Sequence, residues 1–458
     1  MLFDTVIKGG TVVSSAGTTR ADVGVVGEKV AALGLSLSGK ETIDATGKLV
    51  LPGSIDVHVH LQLPFCGTVS SDDFDSGTRA AARGGVTTLI DYAMQDVDNG
   101  LWAGIEKRRA EADPKVVVDY GLHSIVTKWN DAAREEMRSV IDRGVPTFKM
   151  FMVYEAEGWQ SDDAALFGAL TETRENGGRI MVHAESERVM NTLIEKYRGK
   201  DVGAYGHVLS RPNFIEEEAI QRAVKWTEAS GGRLYVVHMS TGGGADIIKA
   251  AQARGVNVYA ETCPQYLLLT DEVFKDPERG HLYATCPQVK KAADSERLWS
   301  AMRDGEVCIV STDTCTFNTE QKALWQGDFT KMAFGMPGTE TMVPAVYTHG
   351  VKAGRFDLNR MVRLCATNPA RLHGLYPQKG TIAPGSDADL AIIDPDKTKK
   401  VDFEELDTNC DWSPYQGMEL GGFPDVTLCR GTVVVDDGKF VGKQGYGKFI
   451  ERSAGADL

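Results

Sequence analysis

Two histidines separated by one residue, His58 and His60, close the apolar run at residues 49–59, just beyond the breaker Pro52-Gly53. In an extended strand, residues i and i+2 point to one face, so both imidazoles project together from a strand's carboxyl end, as a metal site requires. Four more polar residues sit within or just after other apolar runs: Lys149 in Phe148-Lys149-Met150-Phe151, then His183, His238 and Asp313. For one such histidine the ordinary reading is a satisfied polar residue. Four histidines in the same position, joined by an aspartate, instead make a nitrogen- and oxygen-rich donor set.

An ammonium at Lys149 would stand in apolar surroundings beside divalent cations, which is costly. A buried lysine with a depressed pKa can instead be neutral and take up carbon dioxide as a carbamate, N6-carboxylysine, which turns a repelled cation into a bidentate oxygen ligand. The charge of two divalent metals is then nearly balanced by Asp313, the carbamate and a bridging hydroxide. The competing reading is a lysine that snorkels to the cavity mouth.

These residues need a scaffold that gathers strand ends. Residues 55–61, 87–92, 116–121, 147–153, 180–183, 234–238, 256–260 and 307–311 are short, mostly β-branched runs. Amphipathic stretches such as 76–82, 131–142 and 216–230 alternate with them, the pattern of βα units on a parallel sheet. Eight such runs predict an α/β fold, a TIM (β/α)8 barrel, whose strands present their carboxyl ends on one active-site face. A doubly wound sheet would open on a glycine-rich phosphate fingerprint, which is missing after the first run. Thr241-Gly242-Gly243-Gly244 reads as a strand-to-helix turn rather than an anion loop.

The ends of the chain have another rhythm. Short strands at 5–7, 11–14, 23–26, 30–33 and 41–43, and again at 390–393, 426–429 and 432–435, predict a small β-sandwich domain formed by both chain termini. The expected division is residues 1–51 plus 378–443 for the sandwich, 52–377 for the barrel and 444–458 for a C-terminal tail.

The chain has 458 residues, 42% of them hydrophobic and 25% charged, which is ordinary globular material. A net charge of -14 without any basic stripe argues against nucleic acid or an anionic membrane as partner. No apolar run approaches a membrane span and none reads as a signal peptide, so a cytoplasmic location is expected. The eight cysteines show no Cys-x-x-Cys pair, so they are expected as reduced thiols.

Taken together, Pro52-Gly53-Ser54-Ile55-Asp56-Val57-His58-Val59-His60, Gly84-Gly85-Val86-Thr87-Thr88, Phe148-Lys149, Val182-His183-Ala184-Glu185, Val237-His238-Met239-Ser240, Glu261-Thr262-Cys263-Pro264-Gln265-Tyr266-Leu267 and Gly385-Ser386-Asp387-Ala388-Asp389 resemble the dihydropyrimidinase and hydantoinase group of cyclic amidohydrolases. The resemblance spans nearly the whole chain. It implies a homotetramer whose subunits each hold two divalent metals, zinc by preference. His58, His60 and Asp313 would hold one metal and His183 and His238 the other, bridged by carboxylated Lys149 and a hydroxide. Asp313 would relay the proton to the departing ring nitrogen, and Tyr154, five residues after the lysine, would donate to the developing oxyanion. The implied reaction opens 5-substituted hydantoins or dihydropyrimidines to N-carbamoyl amino acids.

Three positions depart from the family pattern. Thr314 stands where histidine usually follows the aspartate, Cys286 where a serine precedes Pro287, and Phe334 where an asparagine precedes Gly335. Cys286 and Phe334 occupy substrate-contact positions, while Leu63, Phe65, Phe151 and Met152 match residues that line the exocyclic group. Gln62 replaces the arginine that would grip a carboxylated ring, which disfavours dihydroorotate. Allantoin or another cyclic imide is the alternative substrate, and a non-catalytic tetrameric scaffold the alternative class, although related scaffolds lose metal ligands that are all present here.

Overall fold

The computed structural model describes residues 2–458. Eight parallel strands, Ser54–Val59, Val86–Met94, Asp119–Ile125, Thr147–Phe151, Arg179–His183, Leu234–Val236, Val258–Thr262 and Ile309–Val310, lie side by side in chain order. That order is what successive right-handed βα units give when they curl into a barrel. The ring shuts between its first strand and the segment just after its last at a single bridge, Val59 to Thr314, where His60 N donates to Thr314 O at 2.8 Å. The expected barrel is therefore present.

Local sequence starts its helices. The Asp73 carboxylate caps Phe74–Arg83, Asn130 caps Asp131–Asp142, and Thr241 Oγ1 accepts from Gly244 N to open Gly242–Ala253. The glycines after Thr241 thus begin a helix.

The third barrel strand lies further along the chain than the run 116–121 implied. Val116, Val117 and Val118 are fully buried, but Gly447 N donates to Val116 O, and the strand proper carries on through Gly121 and His123 to Ile125. The β-branched triplet reported burial against the chain's last segment rather than membership of the barrel. The run 49–59 likewise divides. Leu49–Pro52 belongs to a terminal sheet and Ser54–Val59 to the barrel. Gly53 sits at the crossing, where a Cβ would meet Thr87 Oγ1 at 2.1 Å.

Both ends of the chain build the smaller unit. One sheet holds Lys29–Gly34, Asp22–Val26, Phe3–Lys8 and Gly39–Asp44; the other runs from Lys439–Phe440 through Pro424–Cys429, Leu390–Ile393 and Leu49–Pro52 to Thr18–Arg20. Leu390–Ile393 pairs antiparallel with Leu49–Pro52, which joins late chain to early chain. Ile7, Val23, Val50, Leu390, Ile392 and Leu428 share a core there. Lys379 Nζ, buried where sandwich and barrel meet, reaches Asp119 at 2.8 Å and Asp389 at 2.6 Å, so this acidic cluster is filled by the protein's own ammonium.

Residues 444–458 pack across the amino ends of the barrel strands. Tyr120 N donates to Lys448 O, Ile450 N to Tyr120 O, and the buried Arg452 guanidinium donates to Thr147 Oγ1 at 2.9 Å and to Leu122 O. Asp457 pairs with Arg179 at 2.7 Å and Arg233 at 2.9 Å.

Candidate metal centre

At the opposite, carboxyl face, His60, Lys149, Tyr154, His183, His238 and Asp313 line one cavity, with His58 buried just behind it. Ring centroids separate His58 from His60 by 5.1 Å, His58 from His238 by 5.2 Å and His183 from His238 by 4.6 Å. The six expected donors are thus contiguous. Asp313 Oδ1 stands 3.2 Å from His58 Nε2 and 3.3 Å from His60 Nε2.

Two buried glutamates that the sequence reading did not assign a role orient this set. His58 Nδ1 is 2.5 Å from Glu261 Oε1, and Tyr235 OH and His238 N also donate to that carboxylate at 2.8 and 3.1 Å. His183 Nε2 is 2.7 Å from Glu185 Oε2. A carboxylate on one imidazole nitrogen selects the tautomer and leaves the other nitrogen as the ligand. Both glutamates lay in motifs quoted above: Glu185 stands two residues after His183, repeating the i, i+2 spacing of His58 and His60, and Glu261 lies next to last in the seventh strand, one residue beyond the apolar run that announced it.

Burial pushes His58 and His238 well below the usual imidazole range, with Lys149 adding to the effect at His58 and His183 at His238. Both rings are therefore neutral. Burial raises Glu261 to about 8, only partly offset by the bonds from Tyr235 OH and His238 N, whereas the hydrogen bond from His183 helps keep the equally buried Glu185 down at about 2. Lys149 Nζ sits 5.1 Å from the ring centroids of both Tyr92 and Phe151, and burial lowers it to about 8.

These facts test whether divalent metal fits. His58 Nε2 stands close to the Asp313 carboxylate, which is also 3.3 Å from His60 Nε2, in a geometry that makes no hydrogen bond, and a cation held between these donors satisfies all of them. His58 Nε2 and His238 Nδ1 are buried without any hydrogen-bond partner. Orphaned ring nitrogens of that kind are costly unless something ligates them. The donor set fits.

The wall of the cavity is apolar, with Leu63, Phe65, Phe151, Trp159, Cys286 and Phe334 among its residues. Trp159, which the sequence did not single out, stacks on Phe65 at 5.7 Å. Met152, expected here, does not line the cavity. It follows Phe151, whose side chain takes the inward place, and is buried in the main core instead. Phe334 stacks on the buried His207 at 5.1 Å. Thr314 also turns away from the cavity, and its Oγ1 accepts from Thr339 Oγ1 at 2.9 Å. Tyr154 is raised well above its usual range by burial, so its hydroxyl stays a donor.

The backbone is bent sharply around this site. Gln62, Cys66, Tyr154, His238 and Asp313 all hold left-handed φ values, from 38° at His238 to 70° at Tyr154. Such strain gathers where side chains must be aimed rather than merely packed.

Comparison with known proteins places this geometry in context. The amidohydrolase family profile matches residues 49–434. The chain is 41% identical to the D-hydantoinase of Geobacillus stearothermophilus over 98% of its own length and 96% of that protein's. It is 38% identical to the D-phenylhydantoinase of Escherichia coli K12 over 97% of each chain. Among solved structures it is similar to the dihydropyrimidinase of Brevibacillus agri, with a TM-score of 0.97, 39% identity, and coverage of 99% of this chain and 100% of that one.

Proposed function

The chain belongs to the amidohydrolase family, and from that premise we propose that it opens 5-substituted hydantoins or dihydropyrimidines by hydrolysing the ring amide to N-carbamoyl amino acids. His58, His60 and Asp313 would hold one divalent metal and His183 and His238 a second, with Lys149, as a carbamate, offering oxygens to both; zinc suits the nitrogen-rich set. Bound there, the pair lowers the pKa of water and polarises the scissile carbonyl.

The chain's own groups do the rest. Asp313 accepts the attacking water's proton and returns it to the ring nitrogen, which leaves poorly as an anion. The Tyr154 hydroxyl donates to the carbonyl oxygen as it gains charge. Phe65, Phe151 and Trp159 receive the exocyclic group and keep water away from it. Backbone atoms at Cys286 and Phe334 position the ring amide, and Leu63 completes the wall. Assembly as a cytoplasmic homotetramer extends the same family reading, and sedimentation at four times the 49.7 kDa chain mass would test it.

The observation that carries this reading is the buried His58 Nε2, which has no hydrogen-bond partner and lies 3.2 Å from Asp313 Oδ1. Its test is ring opening of dihydrouracil, hydantoin, 5-phenylhydantoin, allantoin and dihydroorotate by metal-analysed protein. Turnover of the first three with about two metals per chain is expected. Turnover of allantoin alone would move the substrate, and neither metal nor turnover would indicate a scaffold. Lys149→Ala should lose metal and activity together and regain part of both with a short added carboxylate; an unaffected variant would exclude the bridging carbamate.

A further inference from the structure

Cys286 places a thiol beside two groups able to bind metal. Its Sγ lies 3.0 Å from Glu185 Oε2 and 3.9 Å from His183 Nε2, and all three residues are buried. We infer that Cys286 Sγ, Glu185 Oε2 and His183 Nε2 form a third metal site, for a thiophilic divalent cation such as cadmium or zinc in excess, and that filling it inhibits the enzyme by taking His183 from the hydrolytic pair.

Thiolate, imidazole and carboxylate together are a donor set for zinc-like ions, and three protein ligands leave a position open. The three ligand atoms lie within 4.8 Å of one another, so small rotations bring them onto one ion. Glu185 Oε1 is buried with no hydrogen-bond partner, which leaves the carboxylate an oxygen to spare. Cys286 and His183 both line the cavity, so an ion arrives by the substrate's route. Arg211 Nε, 3.9 Å from Glu185 Oε1, opposes a cation and keeps the site weak, which suits occupancy only in excess.

Inhibition follows from the count of lone pairs. A neutral imidazole has one, and in the hydrolytic arrangement His183 Nε2 carries the proton and donates it to Glu185, so Nδ1 is the nitrogen left for the cavity metal. An ion bound at Nε2 moves that proton to Nδ1 and removes the ligand. The metal–sulfur bond forms as the S–H bond breaks, and that proton leaves to solvent. Among the described residues, the same cavity's Cys315 and the nearby Cys66 have no comparable cluster of histidine and carboxylate.

The inhibition rests on the hydrolase reading above, but the site itself does not. Protein carrying its two metals is titrated with cadmium while thiolate-to-cadmium absorbance in the near ultraviolet and hydantoin hydrolysis are followed together. Absorbance that rises with excess cadmium to a plateau of one bound ion per chain, in step with falling rate, is expected. Cys286→Ser, and Cys286→Ala should the first fold poorly, must lose the absorbance and need at least about 10-fold to 100-fold more cadmium for half inhibition relative to its own starting rate. A Cys66→Ser/Cys315→Ser variant must keep both effects. Absorbance that persists without Cys286, or none in the unaltered protein, overturns the site. Absorbance without turnover of any substrate supports the site and faults the hydrolase reading alone.

Discussion

Lys322 shows how far a single side chain can organise the substrate wall. It is fully buried, its Nζ donates to Ala333 O at 2.7 Å and Ala284 O at 3.1 Å, and Gly335 N reaches the same Ala284 carbonyl at 2.9 Å. One amine therefore ties together the two segments that present Cys286 and Phe334. The titratable groups nearest it are the thiols of Cys66, Cys410 and Cys315 rather than carboxylates, and burial lowers it to about 7 from an ordinary 10.5. Below about pH 7 the lysine is protonated in both folded and unfolded chains and adds no slope. Between there and 10.5 the unfolded chain binds a proton that the folded one has released, so stability rises with pH. The unfolding free energy of the native protein relative to Lys322→Met, from urea melts, should accordingly be flat below about pH 7 and grow above it. A flat difference across the whole window would contradict a deprotonated interior amine.

Among the elements, the segment that follows the last barrel strand is held closely against its neighbour. Gly335 has φ +146°, and a Cβ there would approach Cys315 O to 2.2 Å. Gly335→Ala must displace either its own segment or the one after Asp313, and a shift of about 1 Å in a positioning element costs on the order of 100-fold in kcat/KM. Far-ultraviolet circular dichroism should stay native; unchanged kinetics would show that the wall relaxes freely. The same elements mark what sequence could and could not convey. His58, His60, His183, His238 and Asp313 were legible because each closes an apolar run, and a barrel turns that shared position into proximity. Glu261, Glu185 and Trp159 were not, because a glutamate that aims an imidazole looks like any polar residue until its partner is known. Met152 misled by lying next to Phe151, and the valines at 116–118 by reporting burial against the terminal segment, a contact that no local pattern encodes.

Seen as one body, the molecule is a barrel with its amino face covered by residues 444–458 and its flank by a sandwich drawn from both termini. Its strands are continuously laddered except at one seam, the single bridge from Val59 to Thr314. That seam runs between two parts of the proposed ligand set: His58 and His60 hang from one side, Asp313 from the other. An ion gripped by all three would act as a clasp on the barrel itself and make loading and closure one event. Stripping the protein with a chelator should then speed hydrogen exchange at the His60 amide, which donates across the seam, and at Thr314 beside it, while the Phe148 and Val182 amides keep their protection. Uniform exchange changes, or none, would separate the clasp from the chemistry. If the clasp holds, the architecture has left its weakest joint where the catalytic ion arrives, and the completeness of the fold becomes a report on the supply of metal.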